Sequence, residues 1–201
     1  MRALGLAAGG IAAAAAFILM ARKVAARVTS VDAEVLEHTG VEEGHPARRA
    51  AEKVHPLGKW WTYVPAAALT GAYVLAERRG VAGSIAIIAT SGAAYALSKS
   101  FDDILPQPVA PPGRDKPDHP VFPSGHAFGP TSVALIAAYV LMREELAHGA
   151  LAFPVALALP VATSAARLME EKHWITDIAG GFLAAIALAS FASAAYETAR
   201  R

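Results

Sequence analysis

Several residues with evident chemical potential stand where long uncharged stretches of this chain begin or end. The turn Ser124–His126 opens one stretch, and His173 and Asp177 stand four residues apart before another. The first N–H groups of a helix lack intrahelical partners, so a Ser-Gly turn there favours a bound anion such as phosphate. A histidine and a carboxylate at i and i+4 lie on one helix face, where the carboxylate can hold one ring nitrogen and leave the other free to attack. His126 is then free to protonate a leaving group.

Two basic residues complete this set. Lys99 closes the third uncharged stretch and Arg167 follows the fifth. In an up-and-down bundle, the ends of the third and fifth helices and the starts of the fourth and sixth lie on one side. Ionisable residues at membrane depth are costly and point to function by default. The sequence therefore predicts one anion site at one membrane face, built from two cations, two imidazoles and a carboxylate.

The elements that must position these residues are strongly apolar. Of the 201 residues, 55% are hydrophobic and only 17% are charged, which is unusual for a soluble domain. A transmembrane helix needs about 17 to 25 apolar residues. Uncharged stretches of about this length run through residues 3–21, 60–76, 81–98, 127–142, 149–166 and 178–196.

We expect an all-α integral-membrane bundle of six transmembrane helices that forms a single domain over residues 1–201. Its Ala-rich helices would pack closely through their small residues. A soluble helical bundle is the alternative fold. The first stretch could also be a cleavable secretory signal, although its apolar run is longer than a typical signal core.

The longest polar segment, residues 22–59, separates the first two stretches. Gly44–Pro46 divides it into two short amphipathic helices, and Thr29 with Asp32 is placed to cap the first. Such helices lie on a membrane surface or cover a bundle, and a solvated connector is the other interpretation. Its three histidines are expected at the surface: His38, His45 and His55.

Composition argues against several classes of function. The chain has no cysteine, so it has neither a disulfide framework nor a thiolate metal site. Glu144, Glu145 and His148 lie on the opposite side of the bundle and are typical of a polar loop rather than a metal site. A net charge of +1 does not favour nucleic acid as a partner. We expect no metal and no cofactor.

The order and spacing of the site residues resemble the type 2 phosphatidic acid phosphatase family of integral-membrane lipid phosphatases, which share their pocket with vanadium haloperoxidases. Its signatures are K-x6-R-P, P-S-G-H and S-R-x5-H-x3-D. The second stands intact at residues 123–126, and the third has Arg167, His173 and Asp177 in register, with Ala166 in place of the serine. The resemblance covers most of the chain after the polar segment.

The first signature is the one that departs from the family. Lys99 is present, but Gln107 stands where the family has arginine, and one extra residue precedes Pro108. Phosphoryl transfer relies on positioned positive charge. Arg114 and Lys116, in the loop before the second signature, are candidates to supply the missing cation.

The resemblance implies a role for each matching residue. His173 is the nucleophile that forms a phosphohistidine, Asp177 orients it, and His126 is the acid that releases the alcohol. The groups that hold the phosphoryl oxygens are then Lys99, Ser124, Gly125 and Arg167, with Gln107 and Arg114 as further candidates.

These features predict metal-independent hydrolysis of a phosphomonoester or diphosphate on a membrane lipid whose tail stays in the bilayer. Phosphatidic acid, phosphatidylglycerol phosphate, and polyprenyl phosphates or diphosphates all fit this description. One alternative is a non-catalytic lipid-phosphate binder, motivated by the missing arginine and by Ala166. Another is a vanadate-dependent peroxidase, which the membrane stretches disfavour.

The distribution of basic residues predicts the orientation of the bundle. Six basic residues lie on the side of the two chain ends, and three lie on the other side once the polar segment and the two site residues are set aside. Cytoplasmic loops carry the excess of lysine and arginine. Since the family also usually faces outward, we expect a multi-pass protein of the cell membrane whose site faces away from the cytoplasm.

Overall fold

The structure of the protein, a computed structural model, describes residues 1–24, 28–116 and 118–200. Residues 25–27, 117 and 201 lie outside the described residues; they fall in the predicted polar segment, in the loop before the Ser-Gly turn and at the end of the chain. Within the described ranges all regular secondary structure is helical. The helices are α1 (Arg2–Val24), α2 (Ser30–Thr39), α3 (Pro46–Val54), α4 (Trp60–Arg78), α5 (Val81–Ile104), α6 (Gly125–Arg143), α7 (Gly149–Met169) and α8 (Ile175–Ala199), with a 3₁₀ turn at His55–Gly58.

Five of these helices are long and apolar enough to cross a membrane, namely α1, α5, α6, α7 and α8. The helix α4 has the length for a sixth span, but its first turn contains Trp60, Trp61 and Tyr63, which lower its mean hydropathy. Tryptophan and tyrosine favour the boundary between membrane and water. The all-helical membrane fold is confirmed, and the sixth span stays a prediction.

The helices α6 and α8 form the centre of the bundle, with α1 packed on α8, α7 on α6, and α4 on α5. Close contact between α6 and α8 depends on Gly181. A Cβ atom there would lie 2.7 Å from Cβ of Ala127 and 2.8 Å from the carbonyl oxygen of Ser124. The missing side chain therefore lets the start of α6 approach the first turns of α8.

The polar segment covers the end of the bundle where α7 stops and α8 begins. Thr29 and Asp32 form the expected capping box of α2, and Pro46 occupies the first turn of α3. The helix α3 packs against α7, and α2 contacts both α7 and α8. A purely solvated connector is therefore the wrong interpretation of this segment.

Candidate active site

Most of the predicted site residues converge at one end of the bundle, where α5 and α7 end and α6 and α8 begin. Lys99 lines a cavity of about 180 Å³ together with Gly125 and His126. His126 also lines a larger cavity, of about 450 Å³, together with Arg167. The centroids of the His126 and His173 rings lie 6.4 Å apart. The structure thus brings two cations and two imidazoles to one place.

His173 lies in the turn between α7 and α8 and is only 5% exposed. Its Nδ1 is 3.3 Å from Oδ2 of Asp177, and the same oxygen accepts a hydrogen bond of 2.9 Å from the backbone N–H of Trp174. The i,i+4 spacing predicted that His173 and Asp177 lie on one helix face. Since α8 begins only at Ile175, His173 instead lies in the turn before the helix, and only Asp177 is helical. The pairing leaves Nε2 of His173 unengaged by the carboxylate.

The surroundings of His173 favour its neutral form. Burial lowers the pKa of His173 well below its ordinary value of 6.5, and the nearby charges of Arg167 and Arg114 lower it further. Removal from water and adjacent cations both penalise an imidazolium ion. These surroundings favour the unprotonated imidazole, which is the form that can attack an electrophile.

Several buried polar atoms at this end of the bundle have no hydrogen-bond partner in the part of the chain that the structure describes. They include Oγ of Ser124, Nε2 of His126 and Nε of Arg167, and also Oδ1 of the Asp177 carboxylate. An unpaired buried polar group costs about 1–3 kcal/mol, so such groups are rare unless a ligand or water completes them. The first three are a hydroxyl, an imidazole nitrogen and a guanidinium N–H, which are groups that can bind an anion.

The backbone of the Ser-Gly turn is tied to the start of α8. The N–H of Ser124 donates a hydrogen bond of 3.0 Å to the carbonyl oxygen of Asp177. This N–H is therefore occupied, and the helix N–H groups that could face an anion begin at Gly125, the first residue of α6. The same bond fixes the turn relative to Asp177, whose carboxylate contacts His173.

Gln107 has a different environment from the other candidate phosphate ligands. Its Oε1 accepts hydrogen bonds from the N–H groups of Val121 and Phe122 at 2.9 and 2.8 Å, and its Nε2 donates to the carbonyl oxygens of Leu105 and Phe122 at 3.2 and 2.8 Å. Both ends of the amide are thus engaged with the loop backbone. Gln107 therefore braces the loop that leads into the Ser-Gly turn.

Arg114 lies next to Arg167 and is half-buried. The two arginines line a cavity of about 230 Å³ together with Lys116 and Lys172. Nη2 of Arg114 donates to the carbonyl oxygens of His119 and Pro120 at 3.3 and 3.0 Å. Burial lowers the pKa of Arg114, yet a guanidinium stays charged at neutral pH. The structure therefore places a second arginine at the site.

Comparison with known proteins identifies the family. The sequence model of the PAP2 superfamily matches residues 80–201. The chain belongs to the PAP2 superfamily. Among solved structures it is similar to a transmembrane PAP2-type phosphatidylglycerolphosphate phosphatase from Bacillus subtilis, with a TM-score of 0.77 and 20% sequence identity over 92% of this chain and 94% of that one. No curated protein matches the sequence significantly.

This PAP2 chain also contains site residues that the sequence motifs did not single out, and Glu170 is the first of them. Its carboxylate is buried and bridges two partners, with Oε2 at 2.7 Å from Nη1 of Arg167 and Oε1 at 2.7 Å from Nδ1 of His55. The spacing of Arg167 and Glu170 at i and i+3 is a signal for the first contact. No local signal predicts the second, because 115 residues separate His55 from Glu170.

The expectation that His55 is a surface residue is therefore wrong. Burial lowers the pKa of His55, and the adjacent Glu170 carboxylate opposes that shift. The ring of His55 meets the ring of His126 edge to face, with centroids 5.8 Å apart. His55 thus forms part of the wall of the PAP2 site.

Asp32 is a second missed residue, and it is only 1% exposed. Its Oδ1 accepts hydrogen bonds from the N–H and the hydroxyl of Thr176 at 3.1 and 2.8 Å, while Oδ2 accepts from Thr29 within the capping box. Thr176 lies in the first turn of α8 next to Asp177. The helix α2 therefore holds the turn that positions the His173–Asp177 pair.

The acidic residues at this site are paired with histidine, lysine, arginine and backbone N–H groups of the protein. Asp177 faces His173 and Trp174, Glu170 faces Arg167 and His55, and Asp115 accepts a hydrogen bond of 2.9 Å from Lys172. Across residues 1–24, 28–116 and 118–200, no three histidine, aspartate or glutamate side chains are arranged to hold a metal ion.

Proposed function

We propose that this PAP2 protein hydrolyses a phosphomonoester or diphosphate carried by a membrane lipid, without a metal ion and through a phosphohistidine intermediate. The observation that carries the proposal is the buried His173, paired with Asp177, at the end of the bundle that also holds unpartnered polar atoms of Ser124, His126 and Arg167. A phosphoryl group placed among them would have donors for its oxygens and the His173 imidazole as a nucleophile. The PAP2 family supports phosphatase chemistry at such a site.

The first step transfers the phosphoryl group to the protein. Nε2 of His173 attacks phosphorus, the bond from phosphorus to the lipid oxygen breaks, and the leaving oxygen takes a proton from His126. The side chains of Ser124, Lys99 and Arg167 stabilise the negative charge on the phosphoryl oxygens. The products of this step are a phosphohistidine and a lipid alcohol, or a lipid monophosphate from a diphosphate.

The second step releases phosphate and restores the protein. A water molecule attacks the phosphorus atom, the nitrogen–phosphorus bond breaks, and His126 takes the proton of the water. Asp177 holds the Nδ1 side of His173 throughout, so the same Nε2 serves both steps. The cycle consumes one water molecule and requires no redox change.

A lipid substrate is supported by the surroundings of the smaller cavity. That cavity lies between the starts of α4 and α6 and the end of α5, and aromatic rings of Trp60, Tyr63 and Tyr95 form part of its lining beside Lys99. Trp60 and Tyr95 are both substantially exposed, as is typical of residues at the membrane boundary. A phosphate at Lys99 and His126 would thus remain connected to a tail in the bilayer.

Trapping of the covalent intermediate tests the proposal. The purified protein in detergent is mixed briefly with ³²P-labelled 4-nitrophenyl phosphate and quenched in base, which preserves phosphohistidine. We expect label on the wild type and on His126→Ala, because nitrophenolate leaves without an acid, and no label on His173→Ala.

His38→Ala serves as the matched histidine control, because His38 is exposed on α2, and it should be labelled like the wild type. Equal labelling of the wild type and His173→Ala would exclude His173 as the nucleophile. An absence of label on every variant, together with an absence of phosphate release, would indicate a non-catalytic lipid-phosphate binder.

A further inference from the structure

The ring of His126 is enclosed by a part of the chain that lies outside the family signatures. The turn His55–Gly58 packs directly against it, since a Cβ atom on Gly58 would lie 2.9 Å from Cδ2 of His126. The ring of His55 meets the same imidazole edge to face, with centroids 5.8 Å apart. The ring of His173 lies somewhat farther away, with centroids 6.4 Å apart. His126 therefore lies near the proposed nucleophile and packs against this turn.

The turn is itself fixed to the phosphate site by Glu170. The carboxylate accepts from Nδ1 of His55 and from Nη1 of Arg167, each at 2.7 Å. The glutamate side chain is 3% exposed, so both contacts are made out of water, where charge-assisted hydrogen bonds are strong and geometrically demanding. Because Glu170 occupies Nη1 of Arg167, the unpartnered Nε of that arginine is left for a ligand.

Among the residues that the structure describes, no side chain or backbone group makes a hydrogen bond to the His126 ring. Its Nε2 is buried and has no partner among the residues that the structure describes. A general acid has to place its proton within about 3 Å of the leaving oxygen, and a displacement of about 1 Å can cost 10²-fold in rate. The orientation of the ring must therefore come from packing, and the His55–Gly58 turn supplies one wall of that packing.

We propose that His55 and Glu170 are positioning residues for the general acid: Glu170 clamps the His55–Gly58 turn against His126 and so directs the imidazole toward the leaving oxygen. This inference rests on the proposed function. In the step concerned, the proton of the His126 imidazolium passes to the lipid oxygen as the phosphorus–oxygen bond breaks and the bond from phosphorus to His173 forms.

The inference makes a specific claim about leaving groups. A misplaced acid harms the release of an alkyl alcohol, which cannot leave without a proton, far more than the release of nitrophenolate. Loss of structure or of phosphate binding harms both alike. The ratio of kcat/KM for hexyl phosphate to kcat/KM for 4-nitrophenyl phosphate therefore isolates the acid, because kcat/KM covers only the steps through formation of the phosphohistidine.

We expect the ratio to fall by about tenfold or more in His55→Ala and in Glu170→Gln, since general acid catalysis contributes about 10²- to 10⁴-fold in total. Gly58→Ala tests the same wall without altering a polar group, and its ratio should fall as well. His38→Ala should keep the wild-type ratio. All variants are compared by size-exclusion profile and melting temperature in the same detergent.

The outcomes separate this inference from the proposed function. If the wild type hydrolyses both substrates while His55→Ala and Glu170→Gln retain the wild-type ratio, the inference is wrong and the proposed function stands. In that case an equal loss of activity on both substrates would show that the turn supports the fold or the phosphate site and does not direct the acid. If the wild type hydrolyses neither of these substrates nor any membrane lipid phosphate, both fail together.

Discussion

At the scale of single residues, the site separates roles between two histidines by their surroundings. His173 is buried beside two arginines and pairs with Asp177 through Nδ1, whereas His126 faces two cavities and a neighbouring histidine ring. In the proposed mechanism a carboxylate orients the first, and packing orients the second. The division fits one group that attacks phosphorus and another that exchanges a proton with the leaving oxygen.

The first prediction concerns the protonation of His173. Since burial and the neighbouring arginines lower its pKa below 6.5, the neutral form should persist as the pH falls from 7 to 6, and protonation should appear only below that range. NMR of ¹³C-histidine-labelled protein measures this directly, with the His173 signal assigned by its absence in His173→Gln. A titration midpoint at or above 6.5 would contradict the described environment.

Arg114 provides a second prediction at this scale. A positioned donor to a transferring phosphoryl group contributes about 10²- to 10³-fold in rate, so Arg114→Ala should lower turnover by at least about tenfold if this arginine replaces the missing cation of the first signature. Folding should be unaffected, because Arg114 lies in a loop outside the helices. Lys53→Ala, which removes an exposed cation on α3, is the control, and Lys116→Ala tests the other candidate. Full activity of Arg114→Ala would show that Arg114 does not serve as the replacement.

Residue types and spacing predict the chemical groups of the site better than their partners. The Pro-Ser-Gly-His turn and the His173–Asp177 spacing are visible in the sequence because they are local. The bracing role of Gln107 is not, since its amide contacts backbone groups 14 and 15 residues away. The contact of Glu170 with Arg167 could be predicted from their i,i+3 spacing. Its contact with His55 could not, because the two residues are far apart in the sequence.

At the scale of elements, the polar segment contacts both ends of the turn between α7 and α8. Nη1 of Arg48 donates to the carbonyl oxygen of Met169 at 2.9 Å, near the end of α7. Asp32 accepts from Thr176 at the start of α8. These two contacts bracket the turn that contains His173. The sequence predicted the amphipathic helices and the Thr29–Asp32 cap, but it could not predict that the second oxygen of Asp32 would bind Thr176, 144 residues away.

The prediction at this scale concerns Asp32. Asp32→Ala leaves the N–H and hydroxyl of Thr176 without their acceptor, a loss of about 1–3 kcal/mol, and frees the first turn of α8. We expect a lower melting temperature in detergent together with a clear loss of turnover, because His173 and Asp177 no longer hold their geometry. Glu37→Ala, an exposed acidic residue on the same helix, should change neither quantity. Matching behaviour of the two variants would show that α2 does not hold the catalytic turn.

At the scale of the whole molecule, the hydropathy pattern predicted the helical membrane fold because each uncharged stretch coincides with one helix. It did not separate α4 from the other five, since a count of charged residues ignores the weaker apolarity of its tryptophans and tyrosines. The orientation of the bundle is a separate matter, governed by the excess of basic residues around the two chain ends. We propose on that basis that the site faces away from the cytoplasm.

Cysteine labelling tests this orientation, and the chain suits the method because it has no cysteine of its own. Asp118 is exposed in the loop before the Ser-Gly turn, on the side of the bundle that holds the site. Glu77 is exposed at the C-terminal end of α4, on the other side. In intact cells, a membrane-impermeant maleimide should label Asp118→Cys and should label Glu77→Cys only after permeabilisation. The reverse pattern would place the site in the cytoplasm.

The most direct test of the central claim is phosphate release from defined lipid phosphates by the purified protein in detergent with excess EDTA. The panel contains phosphatidic acid, phosphatidylglycerol phosphate, and a polyprenyl phosphate and diphosphate. We predict sustained release from at least one of these lipids, unchanged by EDTA and abolished in His173→Ala. Release that disappears with EDTA and returns with a divalent metal, or release that persists in His173→Ala, would contradict the account.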